Sequence, residues 1–234
     1  MASWMIHLRV AQGIQERLHL HDEAAFIMGN LAPDSGVPSP DGHGYIPDAA
    51  TSHFRTLDAN GLKDVHAAQF INQYFSPVRR TGYPMGDYIF LYGYLTHLLT
   101  DQLWEPIAYD ACQRYPDLYR ENSAAFWHFI KKDWYDLDFL YLRDHPDFRA
   151  WQIYTGISAF KNERLEFFPP DAYMQRREFI MDFYSNGVAS VMERDTYISA
   201  SEVDAFIVAA TEDILRITAD IAEELTQKGF ASPI

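Results

Sequence analysis

The stretch GYLTHLLTDQLW, residues 93 to 104, is apolar on nearly every side, and His97 and Asp101 interrupt it on one stripe. A spacing of four puts both side chains on one helix face with Cβ atoms about 6 Å apart, close enough to share a metal ion. Leu95, Leu98, Leu99, Leu103 and Trp104 leave that helix almost no face for water, so it is expected to be central. A carboxylate there is costly unless it is paired or coordinated. The segment by itself supports two readings, a metal site or a hydrogen-bonded core histidine with an aspartate at a water-filled edge. Gly93, one turn before His97, clears space on the same stripe for another group to approach.

The rest of the chain surrounds this helix with others and shows little alternation at period two. The clearest is the last, where Ser199 and Glu202 form a capping-box pattern. Val203, Phe206, Ile207, Ala210, Ile214, Ile217 and Ile221 then make a stripe ending near Gly229. Helical patterns also run roughly over 5–19, 62–75, 86–114, 117–143, 146–160 and 171–192, punctuated by Pro84, Pro116, Pro146, Pro169 and Pro170. From about 30 to 61 the residues Pro33, Gly36, Pro38, Pro40, Gly42, Gly44 and Pro47 oppose regular structure, and loops of that length are functional or disordered. No internal repeat or low-complexity tract is present. With 234 residues, 48% hydrophobic and 15% aromatic, the chain can bury a sizeable core. The expected fold is an all-α, single-domain multi-helix bundle spanning residues 1–234.

Charge narrows the partners. A formal net charge of -14 opposes tight binding to nucleic acid or to anionic membranes, while small phosphorylated or lipid substrates stay open. The only cysteine, Cys112, cannot form an internal disulfide, which fits a reducing compartment. His7 and Arg9 interrupt the opening MASWMIHLRV, and no run of 18 apolar residues occurs. Neither a signal core nor stable membrane anchoring is expected, and the cytoplasm is the expected compartment.

Three further residues attract notice before any pattern joins them. His7 shares a face with Val10, Ala11, Ile14 and Leu18, so it points inward, where a histidine is more often a satisfied core residue than a ligand. Asp34 follows Pro33 in GNLAPDSG, which is also good turn chemistry. His53, in DAATSHF, has no periodicity to say where it points.

In chain order, His7, Asp34, His53, His97 and Asp101 resemble the zinc-dependent phospholipase C family, whose fold is similar to that of the fungal single-strand-specific zinc nucleases. The likeness is to short bacterial members and rests on HLRVA from His7, MGNLAPD ending at Asp34, and GYLTHLLTDQLW. It covers the first 105 residues. The resemblance implies that Asp34, His53, His97 and Asp101 bind one divalent metal, with Asp101 bridging to a second held by His7. The ion is expected to be zinc, with manganese, nickel or iron as alternatives. Two such ions about 3.5 to 4 Å apart would clamp an in-line displacement at phosphorus, and a bridging water would be the nucleophile. The catalytic residues would be Asp34, as ligand or general base, and Asp101.

The sequence departs from that family at two points. Secreted members give the amine of an N-terminal tryptophan to the second metal, whereas Trp4 lies inside this chain. They also hold a third metal downstream, but after Asp101 only His128 and His145 remain, and Lys132 follows His128 at four. One or two ions are therefore expected.

Other segments have rival readings. His21 and Asp22 form the pair used by HD-type phosphohydrolases, though LHLHDE reads more simply as a helix start capped by Asp22. His43 between glycines reads as a loop residue and His66 as a surface one. Lys131, Lys132, Asp133, Asp136 and Asp138 read as a solvated charged face. Tyr92, Tyr94, Trp104, Trp127 and Trp134 are core or pocket aromatics. The expected function is metal-dependent hydrolysis of a phosphoester. A non-catalytic, metal-stabilised ligand-binding protein is the alternative, and an HD-type phosphohydrolase a further one.

Overall fold

A computed structural model of the protein describes residues 1–58, 63–161, 163–187 and 197–232. The chain begins with α1 (Trp4–Leu18) and α2 (Glu23–Leu31), followed by a single 3-10 turn at Ala32–Asp34. Two small antiparallel hairpins come next: β1 (Val37–Pro38) with β2 (Tyr45–Ile46), then, after the short α3 (Ala49–Ser52), β3 (Arg55–Leu57) with β4 (Lys63–Val65). Helices supply the rest: α4 (Ala67–Tyr74), α5 (Pro77–Arg80), α6 (Met85–Arg114), α7 (Pro116–Glu121), α8 (Ser123–Asp144), α9 (Arg149–Gly156), α10 (Ala172–Asn186), α11 (Ala200–Ile217) and α12 (Ala219–Gln227). The architecture is all-α, as the periodicity requires.

The 93–104 segment lies in α6, where every residue from Tyr88 to Asp101 is buried. Pro84 precedes its first turn and Pro116 follows its last residues, while Pro106 lies inside the helix beyond the buried stretch. α2 packs along it at unusually short range. A Cβ on Gly93 would lie 2.2 Å from the carbonyl oxygen of Phe26, and one on Gly29 would lie 2.1 Å from that of Phe90. Only glycine at both positions lets the two backbones meet, and the group that Gly93 admits is α2 itself.

The two helices at the start of the chain are set by their caps. Ser3 Oγ accepts the Ile6 N–H at the start of α1, and Asp22 accepts the Ala25 N–H at the start of α2. The inward stripe of α1 carries His7, Val10, Ala11, Ile14 and Leu18, all buried. A large core joins α1, α2, α6 and α9. A second cluster, around Trp104, Phe126, Ile130 and Trp134, fills the space between α6, α8 and α11.

Several local expectations are corrected. The 30–61 segment holds short strands and α3, because Gly42 and Gly44 adopt φ of 74° and 95° and turn a hairpin, with Pro38 confined to a two-residue edge strand. The helix expected over 62–75 starts only at Ala67, since Lys63–Val65 pairs with Arg55–Leu57. The last helix is capped by the Ser199–Glu202 box but breaks at Thr218, whose hydroxyl bonds back to Ile214 O at 2.8 Å and meets Tyr92 Oη at 3.0 Å. α10 stops at Asn186, and the remainder of the expected 171–192 helix falls partly outside the described residues. Asp133, Asp136 and Asp138 are buried on α8, not solvated: Asp133 accepts two backbone N–H groups, Asp136 pairs with Lys132, and Asp138 accepts the hydroxyls of Ser3 and Tyr184. No helix among the described residues is long and apolar enough to cross a membrane.

Candidate metal centre

Two helices far apart in sequence, α1 and α6, bring His7 together with His97 and Asp101, and two more elements add Asp34 and His53. α1 aims His7 inward, where its ring stacks on that of His97 with centroids 3.7 Å apart and planes 5° from parallel. Asp34 ends the 3-10 turn after α2, and His53 follows the last residue of α3. The structure thus gathers all five residues singled out in the sequence.

The distances define one continuous polar cluster. Asp101 Oδ1 lies 3.4 Å from His7 Nε2, while its Oδ2 lies 3.7 Å from His97 Nε2 and 3.9 Å from His53 Nε2. Asp34 Oδ1 is 3.3 Å from His53 Nε2. His7, His97 and Asp101 form one set whose ligand atoms all lie within 4.8 Å of one another; Asp34, His53 and His97 form another. The two sets share His97, and the two oxygens of Asp101 face different histidines.

The burial of this cluster is its chief physical problem. His7 and His97 are fully buried, Asp101 is 1% exposed and His53 2%, whereas the Asp34 side chain keeps 17% of its surface. Among the described residues, His7 Nε2, His53 Nε2, His97 Nε2 and Asp101 Oδ2 have no hydrogen-bond partner. Leaving a buried polar atom unpaired costs about 1–3 kcal/mol, so four converging at one point amount to a substantial cost. A cation accepting lone pairs from all of them removes it. The cluster can hold a metal ion, and its donors, imidazole and carboxylate, are the kind that bind zinc and similar divalent ions.

Surrounding groups orient these ligands. The His97 Nδ1–H donates to Asn30 O at 2.7 Å, which leaves Nε2 as the lone pair facing the cluster. That bond depends on the close approach of α2 to α6. His53 Nδ1 lies 2.9 Å from Ser52 Oγ, and Tyr94 of α6 donates its hydroxyl to Ser52 O, tying α3 to the central helix. Trp4 Nε1–H donates to Asp34 Oδ2 at 2.8 Å, and the Ala2 N–H to Asp101 Oδ1, also at 2.8 Å.

Ionisation follows from these neighbours. Burial, reinforced by His7, pushes the His97 imidazole down to about 3, so it is neutral near pH 7 and able to ligate. Burial works to raise both carboxyls. At Asp34 the His53 imidazole 3.3 Å away and the other nearby imidazoles outweigh it, and at Asp101 the chain's amino group together with His7 and His97 does so. Both carboxyls are held below the usual carboxylate range.

The rival placements separate clearly from this cluster. Asp22 caps α2 and lies against Gly86, fifteen residues before Asp101 on α6 and so roughly 22 Å along the axis, while His21 is exposed and bonds Ser232. The HD-type ligand set is therefore overturned. His43, His128 and His145 are exposed, and His66 bonds Thr56 beside β3. Tyr92, Tyr94 and Trp104 are core residues.

Sequence reasoning missed the groups that hold the ligands. Asn30 acts through its backbone carbonyl, which no residue type announces. Trp4 was noted only as lying inside the chain where secreted members have an N-terminal tryptophan, and its reach to Asp34 needs the fold. The chain matches no model of a known protein family, no curated protein and no solved structure.

Proposed function

We propose that the cluster is a centre for one or two divalent metal ions, zinc first, and that the protein hydrolyses small phosphoesters there. The observation that carries this reading is the convergence of three unpartnered imidazole nitrogens and an unpartnered carboxylate oxygen at a buried point. A bound divalent ion supplies a Lewis acid for a phosphoryl oxygen and lowers the pKa of a coordinated water.

The chain's own residues do the rest. With the imidazoles neutral, as ligation requires, the two carboxylates give the cluster a charge of −2, which one divalent ion cancels and two ions reverse to +2. The second state attracts a phosphate dianion, and so favours catalysis over a purely structural role. Asp101 offers one oxygen to each side, which suits it to hold two ions. Asp34 is the ligand nearest solvent, so substrate approaches along its side. With its carboxyl held so low, Asp34 is a weak proton acceptor, and its contribution is charge and orientation. A net charge of -14 disfavours long nucleic acids, leaving lipid headgroups or small phosphodiesters and monoesters as the substrate class.

The near-complete burial of His7, His97 and Asp101 supports the second reading, a non-catalytic metal-stabilised ligand-binding protein. A chromogenic phosphoester panel separates the two. Turnover by the zinc- or manganese-loaded protein should be abolished by chelator and reduced about 100-fold or more by His97→Ala. Turnover that survives His97→Ala would remove the cluster as catalyst and leave the binding role.

A further inference from the structure

Next to the centre lies a cavity of about 770 Å³, built from residues other than the five ligands. Glu105 and Tyr109 reach it from α6, four and eight residues beyond Asp101, which places them about 6 and 12 Å further along the helix. Trp127, Lys131 and Trp134 reach it from α8, and Lys63 from β4.

Its cations are unusually placed for so acidic a chain. Arg55 and Lys63 both point at the sulfur of Met1, with Lys63 Nζ at 3.1 Å, and Met1 itself lines the cavity. A thioether is a weak acceptor, a poor resting place for two positive charges. Lys131 faces the same space. Among the described residues none of the three has a carboxylate within ion-pair distance, whereas the adjacent Lys132 pairs with Asp136 at 2.9 Å. The acids of the lining have other partners: Glu105 accepts the Val65 N–H at 2.7 Å, Asp64 lies 3.8 Å from His66 Nδ1, and Asp58 is also engaged. Burial, then the charges of Arg55 and Lys131, push the Lys63 ammonium down to about 8 against the weaker opposing pull of Asp101 and Asp34.

The apolar wall is equally specific. Trp134 is 4% exposed and packs edge-on to Trp104, while Trp127 is half-buried. With Tyr109 they present flat aromatic surface to the same space that Lys63 and Lys131 face. An ion that is only charged, such as inorganic phosphate, would leave that surface uncovered.

We propose that this cavity binds the organic part of a phosphorylated substrate, with Lys63 and Lys131 holding an anionic phosphoryl group, Arg55 adding positive charge from behind Met1, and Trp127, Trp134 and Tyr109 enclosing an aromatic or apolar substituent. The proposal deepens the phosphoester reading and rests on it for what happens after binding. Recognition itself uses no ligand of the metal cluster, so the two can fail separately.

The test is calorimetric and fluorescence titration of the full-length chain, with and without added zinc, using methylphosphonate and phenylphosphonate as probes. Phenylphosphonate should quench tryptophan emission and bind about tenfold or more tighter than methylphosphonate. Lys63→Ala with Lys131→Ala should weaken both probes about tenfold or more. Trp127→Leu should erase only the advantage of the phenyl group. Lys131 is exposed, so Lys131→Ala alone serves if the double variant does not fold. Equal affinity for the two probes, or variants that bind both as the parent does, would overturn the proposal. Binding as expected, in a zinc-loaded protein that turns over no phosphoester, would uphold the pocket and reject the hydrolase. Turnover with unaltered probe binding in the variants would reject the pocket alone.

Discussion

Asp34 owes its position to an indole. Its Oδ2 accepts the Trp4 Nε1–H at 2.8 Å, while the Trp4 ring is packed edge-on by Phe179, Phe183 and Tyr184. Trp4→Phe keeps most of that packing and deletes the donor. Zinc affinity, read by competitive titration, should fall about 10–100-fold with the far-ultraviolet circular dichroism unchanged, and equal affinity would remove Trp4 from the site. Asp138 makes a different prediction. Burial raises its carboxyl from 3.8 to about 7 against the opposing hydrogen bonds from Tyr184 and Ser3. A carboxyl whose folded-state value is raised contributes its full stability below about 4 and loses it as pH climbs through about 7. At about 1.4 kcal/mol per pH unit the loss is on the order of 4 kcal/mol. Denaturant titrations should show Asp138→Asn gaining stability relative to the parent between pH 5 and pH 8, and a constant difference would contradict this. His7, His97 and Asp101 were legible in the sequence because helical periodicity says which way a side chain points. His53 had no such periodicity and entered only through the family resemblance, since it sits just beyond a four-residue helix and only the fold aims it.

At the scale of elements, the contact between α2 and α6 both packs the core and sets the cluster. Gly93→Ala would drive a methyl into Phe26 O and Asn30 N, at 2.2 and 2.9 Å, and push α2 away from the carbonyl that orients His97. Overpacking of this kind costs roughly 1–3 kcal/mol. Thermal melts should fall by several degrees and zinc affinity should fall with them, whereas Gly156→Ala, whose methyl meets nothing within 4 Å, should do neither. A Gly93→Ala protein with the parent's stability and zinc affinity would show that α2 does not set the site. The long helices were readable from apolar spacing and caps, down to the Ser199–Glu202 box. The hairpins were not, because strands of two or three residues are too short to show alternation. The break at Thr218 depends on Tyr92, 126 residues away in sequence, and a local pattern cannot contain it.

For the molecule as a whole, a chain of net charge -14 encloses five polar side chains at one point, three of them imidazoles with nitrogens that nothing among the described residues satisfies. The fold brings α1, the turn after α2, the end of α3 and α6 together there, so an ion bound at the cluster would link four elements and stabilise them jointly. The most direct measurement is elemental analysis of the purified, dialysed protein after incubation with zinc, beside Asp101→Asn and Asp22→Asn. One to two divalent ions per parent chain are expected, with a clear loss in Asp101→Asn and none in Asp22→Asn. A folded parent protein that retains no zinc, manganese, nickel or iron, or an Asp22→Asn variant that loses more metal than Asp101→Asn, would contradict it.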